Sequence, residues 1–253
     1  MYTIKTWYTL LMSFWTKLKE IFVKGENVLF SPEKCICCGR EKIEKSSPFC
    51  DACKEKVSFI SGRVCDKCGK PINAGKVCDK CKNIKWNFDK ARTCVVYDEF
   101  SSSMITKFKY SKAKYLGERL SDFLVDAYAN YPELSADIVT FVAITEKKLK
   151  QRGFNQTEVL AELFAEKSGL ECKSTLVKVK ETKAQAGLDR TLRMQNLKNS
   201  FSIKSDVKSQ IKDKNILLID DVFTTGSTAS ECAKVLKKAG ASGVFVLTVA
   251  KTI

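Results

Sequence analysis

"IDDVFTTGST", residues 219–228, decides how this chain is read. A wholly apolar run, Ile216–Ile219, leads into it, and an amphipathic run, Thr228–Ala239, leaves it and stops at Gly240. The first is the pattern of a short strand buried on both faces. The second is the pattern of a helix ended by glycine. In an open parallel sheet, ligands bind at the carboxyl ends of the strands. The backbone amides of Thr224, Thr225, Gly226, Ser227 and Thr228, their hydroxyls and the helix N-terminus together make an anion cradle. Gly226 lets the backbone come close to a phosphate. No lysine stands where a Walker loop needs one, which disfavours a nucleoside-triphosphate site. Asp220 and Asp221 repel phosphate but suit a vicinal diol, whose hydroxyls donate to carboxylate oxygens. A sugar with a 5-phosphate at one end and free 2- and 3-hydroxyls at the other fits both features.

The pattern on either side is α/β. Thr93–Tyr97 reads as a strand, Ser101–Tyr110 and Tyr115–Tyr128 as helices, and Ile138–Ile144 as an apolar strand. Asn155–Ser168 reads as a helix, residues 178–200 are polar without a period, and Val244–Val249 is the last strand. Alternation of this kind predicts a parallel sheet with helices on both faces.

The chain has 253 residues, 12 cysteines and no histidine. Eight cysteines form four C-x-x-C pairs: Cys35/Cys38, Cys50/Cys53, Cys65/Cys68 and Cys78/Cys81. The two inner gaps are similar, 11 and 9 residues, and glycine follows Cys38 and Cys68. Two such knuckles close a tetrahedral four-cysteine zinc site, so two consecutive structural zinc ribbons are expected. Residues 31–90 lack long apolar runs, and metal would supply the folding free energy that a small core cannot. Cys37 is read as a bystander, and Cys94, Cys172 and Cys232 as core residues. Clustering of cysteines in one third of a long chain favours a reduced, cytoplasmic location over a secreted disulfide scaffold. The expected domains are 1–30, an amphipathic helix; 31–90, the double ribbon; and 91–253, the α/β domain.

The formal charge is +15, which points to phosphate-rich partners. Within 31–90, 14 Lys/Arg against 8 Asp/Glu give +6, which two Zn²⁺ on eight thiolates reduce to +2. Lys34, Arg40, Lys42, Lys45, Lys54 and Lys56 of the ribbons suit nucleic-acid phosphates, and ribbons equally serve as protein-docking surfaces. Lys107, Lys109 and Lys112 form a second basic patch, read as solvated surface. Trp86, Phe88, Phe108, Tyr110 and Tyr115 lie near basic residues, as single-stranded-DNA platforms do. At the N-terminus Trp7, Leu11, Phe14, Trp15, Leu18 and Phe22 recur at helical spacing. The charge-free run Thr6–Thr16 is only 11 residues, too short to span a bilayer. No signal peptide is expected. The helix is read as packing on the body of the protein, with peripheral membrane or partner contact as the sharper alternative.

The 219–228 stretch resembles the phosphoribosyl-pyrophosphate (PRPP) signature of type I phosphoribosyltransferases. "LFSPEKCICCG", "QRGFNQ" (151–156) and "NLKNSF" (196–201) resemble the ComF/GntX family, associated with DNA uptake in natural transformation. The resemblance runs from about residue 28 to the end. It implies that Asp220 and Asp221, the catalytic candidates, hold the ribose hydroxyls directly or through Mg²⁺. The loop Val222, Phe223, Thr224, Thr225, Gly226, Ser227 and Thr228 would hold the 5-phosphate. Phe223 stands where a small aliphatic residue is commoner. Thr145–Arg152 would be the pyrophosphate loop, with Lys147, Lys148 and Arg152 neutralising that group. Residues 180–196 would be a flap, with Lys180, Gln185, Arg190 and Arg193 as its polar candidates and Leu188 and Asn196 matching the family pattern. If catalysis accompanies the resemblance, the reaction is displacement at ribose C1, driven by positioning and charge stabilisation. The competing reading is a non-catalytic binding component of the DNA-uptake machinery, holding single-stranded DNA or partner proteins.

Overall fold

In the computed structural model the described residues are 35, 37–40, 49–110, 114–181 and 197–253, the side chains of 114 and 115 excepted. The helix expected over 1–30 lies outside them, as do Lys34, Lys42, Lys45, Lys112, Gln185, Leu188, Arg190, Arg193 and Asn196. The chain divides into two compact units, Met1–Glu55 and Lys56–Ile253. The described part of the first is the Cys35–Arg40 knuckle and the Cys50 knuckle, which opens the one-turn helix α1 (Asp51–Lys54).

The second unit is built on a parallel sheet of order β1-β7-β6-β2-β3. Its strands are β1 (Lys90–Val96), β2 (Ile138–Phe141), β3 (Glu171–Cys172), β6 (Asn215–Phe223) and β7 (Gly243–Lys251). Strands β4 (Leu176–Lys178) and β5 (Phe201–Ile203) form a separate antiparallel pair. They bracket the segment read as a flap. The helices are α2 (Asp79–Lys82), α3 (Glu99–Tyr110), α4 (Lys114–Asn130), α5 (Glu146–Arg152), α6 (Gln156–Ser168), α7 (Lys208–Ile211) and α8 (Ser227–Lys238).

Both faces of the sheet are covered. Ile216, Leu218, Val244 and Val246 share one apolar cluster with Cys232, Ala233 and Leu236 of α8. The alternate residues Leu217, Ile219, Leu247 and Val249 are also fully buried and point the other way. There α6 packs on β2 and β6, α4 packs on β1 and β7, and the two helices pack on each other.

The second ribbon is part of this core. Cys65, Cys68 and Cys81 belong to the α8-side cluster. The Ala91 amide donates to Lys67 O at 2.8 Å, and Arg92 Nη1 donates to Cys65 O and Asp66 O, each at 3.3 Å. Gly69 lies so close to β1 that a Cβ there would sit 2.7 Å from Ala91 O. A cysteine-rich segment with no core of its own is thus held by the sheet it lies on as well as by its sulfur ligands.

Two local expectations change. The acidic pair was read as following the strand, but β6 continues through Asp220, Asp221 and Phe223. Its ladder partner β7 is equally long, pairing Asp220 with Thr248 and Phe223 with Lys251. Thr145–Arg152 was read as a loop and is the helix α5. Thr145 Oγ1 caps it, accepting from the Lys148 amide at 3.4 Å, and Gly153 ends it. Chain order gives the sheet a reversal between β6 and β2: β6 leads to β7 on one side, and β2 leads to β3 on the other. The crevice at the carboxyl ends of these two strands is the topological switch point, where open α/β sheets take ligands.

Candidate functional site

Asp220 and Asp221 stand at that crevice on β6, and α5 and the start of α6 face them from the end of β2. Asp221 is buried, and its Oδ2 accepts from Lys109 Nζ at 2.9 Å and from Gln156 Nε2 at 3.0 Å. Gln156 Oε1 in turn accepts from Arg152 Nη1 at 2.8 Å. Arg152 Nη2 donates to the Tyr110 hydroxyl at 3.2 Å, and its guanidinium lies 5.1 Å from the Tyr110 ring centre. A chain of polar groups therefore runs from Asp221 to the exposed Tyr110.

Asn155 positions the start of this chain. Its Oδ1 accepts from the Thr157 amide at 3.2 Å, capping α6, while its Nδ2 donates to Val142 O at 3.2 Å. The Arg152 and Asn155 side chains thus fix the strand-to-helix turn and, through Gln156, the orientation of Asp221.

The electrostatics follow from burial. Burial, with the Asp221 carboxylate beside it, pushes the Asp220 carboxyl up to about 8. Its Oδ1 accepts from the Asp221 amide at 2.9 Å, which opposes that rise. Burial acts to lower Lys109, but the charge and hydrogen bond of Asp221, together with Asp220, hold it above its ordinary value. Burial and then the Lys148 ammonium push Lys178 down, while Asp220 pulls it up.

An aspartate that keeps its proton in the fold and loses it in the unfolded chain weakens the fold as pH rises. The loss begins above the ordinary value of 3.8 and is complete past about 8. Asp220→Asn is therefore expected to melt higher than the wild type, with a gap that widens from pH 5 to about pH 8 and then stays level. Calorimetric scans across pH test this, and a gap independent of pH would refute it.

The loop read from the sequence as a phosphate cradle leaves β6 through Thr224–Gly226 and enters α8. Gly226 has φ +83 and heads α8 with no side-chain cap. Thr225 Oγ1 and Ser227 Oγ lie 2.9 Å apart. Among the described residues, the amides of Thr225, Gly226 and Thr228 have no backbone acceptor, the condition of a helix N-terminus that has donors to spare. Thr252 straps the loop from the far side: its amide donates to Phe223 O at 3.1 Å and its hydroxyl to Thr224 O at 3.4 Å.

Of the remaining candidates, Lys147 and Lys148 are exposed on α5, and Lys180 is exposed and donates to Lys198 O at 3.4 Å. Three participants were missed. Lys109 was assigned to solvated surface and is instead the cation on Asp221; its place four residues after the buried Ile105 along α3 was the available signal. Gln156 was the unassigned last letter of "QRGFNQ". Lys178, two residues before the flap candidate, carries the electrostatic link to Asp220. Of the aromatic candidates, Phe88 and Phe108 are core and Trp86 is half-buried; Tyr110 is 62% exposed.

The eight paired cysteines form two groups, Cys35/Cys38/Cys50/Cys53 and Cys65/Cys68/Cys78/Cys81, with sulfurs within 4.8 Å of one another in each. Among the described residues no disulfide joins any of the twelve cysteines. Cys38 and Cys50 sulfurs are 3.7 Å apart, and Cys68 and Cys78 sulfurs 3.8 Å. Zn–S bonds of about 2.3 Å in a tetrahedron require edges of about 3.8 Å. The Cys78 amide points at Cys65 Sγ at 3.3 Å. The donor sets fit structural zinc, with all four positions filled by protein. Cys94, Cys172 and Cys232 are core or half-buried, and burial pushes each thiol up.

Residues 27–82 match the double zinc ribbon domain model. The chain is homologous to competence protein F of Haemophilus influenzae, 29% identical, the alignment covering 85% of this chain and 90% of that protein. It is also 26% identical to DNA utilization protein YhgH of Escherichia coli K12, over 81% and 90% of the two chains. Against competence protein ComFC of Bacillus subtilis the identity is 26%, over 80% and 84%. Among solved structures it is similar to the glutamine PRPP amidotransferase of B. subtilis complexed with ADP and GMP. That likeness has 24% identity and a TM-score of 0.36, covering 52% of this chain and 25% of that one. The fold is a five-stranded parallel sheet with helices on both faces, preceded by a double zinc ribbon. Among the described residues no helix is long and apolar enough to cross a membrane.

Proposed function

We propose that this homologue of competence protein F, YhgH and ComFC binds PRPP at the switch-point crevice and serves DNA uptake in natural transformation. One observation carries the reading: two adjacent carboxylates on β6 run directly into an uncapped, amide-rich loop at the head of α8. The loop takes the 5-phosphate, and Asp220 and Asp221 take the ribose hydroxyls, directly or through Mg²⁺. Lys147, Lys148 and Lys178 would neutralise the pyrophosphate. Lys109 pairs with Asp221 and orients it before the ligand arrives. Attack at ribose C1 by an acceptor would make the protein a phosphoribosyltransferase; binding without an acceptor would make it a sensor. The ribbons act as structural zinc modules.

A second reading is favoured by Tyr110. Its exposed ring, with Arg152 against it, has the make-up of a base-stacking platform, and single-stranded DNA is the partner it fits. The two readings use separable groups. Asp221→Asn is expected to lose calorimetric binding of PRPP with Mg²⁺, a fall of at least about a hundredfold if a buried charged hydrogen bond is lost. The same variant keeps any oligonucleotide binding, which falls steeply with salt. Undiminished PRPP binding by Asp221→Asn, or none by the wild type, would remove the first reading.

A further inference from the structure

The second ribbon and the phosphate loop meet at one side chain. Trp86 Nε1 donates to Cys81 Sγ at 3.2 Å. The same indole stacks on Phe88 at 5.1 Å and meets Phe223 edge-on at 6.5 Å. Its far edge closes on the loop glycine: a Cβ on Gly226 would lie 2.8 Å from Trp86 Cη2, 2.9 Å from Cζ3 and 2.7 Å from Phe223 Cζ. The next residue continues the contact, since the Asn87 amide and Nδ2 donate to Ser230 Oγ in the first turn of α8 at 3.2 and 2.9 Å. A second link runs beside it. Lys251 is 3% exposed and lies 3.6 Å over the Phe223 ring.

We propose that Trp86 is a positioning residue through which the metal of the second ribbon holds the phosphate loop in its binding geometry. Zinc held by Cys65, Cys68, Cys78 and Cys81 would fix Cys81 Sγ and keep it a thiolate, the form that accepts the indole N–H well. That bond sets the ring plane, and the ring plane sets the space left at Gly226. Interiors packed this closely transmit a displacement rather than absorb it. Lys251, buried over the Phe223 ring, adds a second packing contact to the same aromatic cluster. By linkage, a phosphate ligand seated at the loop must act back on the metal site. The proposal rests on the phosphate-loop reading above, and the test separates the two.

The full chain is compared as wild type, Trp86→Phe and Trp86→Ala, each with its zinc content measured. PRPP affinity with Mg²⁺ is expected to fall about tenfold in Trp86→Ala, within the usual range of coupling between sites. Trp86→Phe, which keeps a ring but not the N–H, is expected to lose less. The readout that mere packing would not move is the visible spectrum after Co²⁺ replaces Zn²⁺. Adding PRPP should shift the thiolate–cobalt bands of the wild type and leave those of Trp86→Ala in place. Unchanged affinity in a metal-replete Trp86→Ala, or cobalt bands in the wild type that ignore bound PRPP, would overturn the proposal. If the wild type binds no PRPP, the functional reading fails and Gly226→Ala decides the coupling. Its new methyl must displace the indole and shift the cobalt bands, and bands that stay fixed would refute the link.

Discussion

Gly226→Ala is expected to lower stability by roughly 2–5 kcal/mol and to abolish PRPP binding. Gly226 has φ +83, a left-handed conformation that costs an L-residue about 1–2 kcal/mol. The added methyl would also stand 2.7–2.9 Å from the rings of Phe223 and Trp86, well inside contact distance. Both are large aromatic side chains held by further rings, Phe88 among them at 5.1 and 5.9 Å, so neither can step aside cheaply. Forcing volume into a packed region costs roughly 1–3 kcal/mol more. The clash would be shared between the loop, whose amides would move off the phosphate position, and the indole, whose shift would reach Cys81 Sγ. Thermal melting should fall by roughly 10 °C for a unit of this size. A melting curve and a PRPP titration indistinguishable from the wild type would show that the loop does not depend on this contact.

Cys68→Ser is expected to do more, removing the cooperative folding of residues 56–253. Cys68 is 3% exposed and Cys65 fully buried, within the cluster that includes Phe88, Val244 and Val246. Structural zinc in small modules contributes about 10–16 kcal/mol, comparable with the whole stability of a typical domain, about 5–15 kcal/mol. Losing one thiolate forfeits much of that and leaves buried sulfurs without their cation. Chelation should act the same way. Near-ultraviolet circular dichroism and calorimetry provide the check. A chelated protein that still melts sharply at the wild-type temperature would mean that the sheet holds the ribbon unaided.

What could be read in advance was whatever lies close together in the chain. Two C-x-x-C pairs at short separation make one four-cysteine group almost irrespective of the remainder, because sulfur geometry and chain reach leave few other arrangements. A buried strand, two acids, small residues and a helix are contiguous from Ile216 to Lys238, so loop and acidic pair were legible together. The α/β alternation was legible because each element carries its own period. Even here β6 ran on past Ile219, since the length of a central strand is set by its ladder partner, β7, which is distant in sequence.

What the tertiary structure alone decided was which side chains complete the crevice. Lys107, Lys109, Lys178 and Lys180 are the same letter in similar polar surroundings. Only the assembled fold, with α3 packed on α4, brings Lys109 onto Asp221, and only the β4–β5 pairing brings Lys178 within electrostatic reach of Asp220. The ribbon's place in the core was equally invisible, because Gly69 and Ala91, or Trp86 and Gly226, meet through long-range packing that no local spacing encodes. Short-range sequence determined the loop at the head of α8 and the two four-cysteine groups, since both depend on local chain geometry. Burial and counter-charge, which decide whether a lysine is surface or site, are properties of the assembled fold.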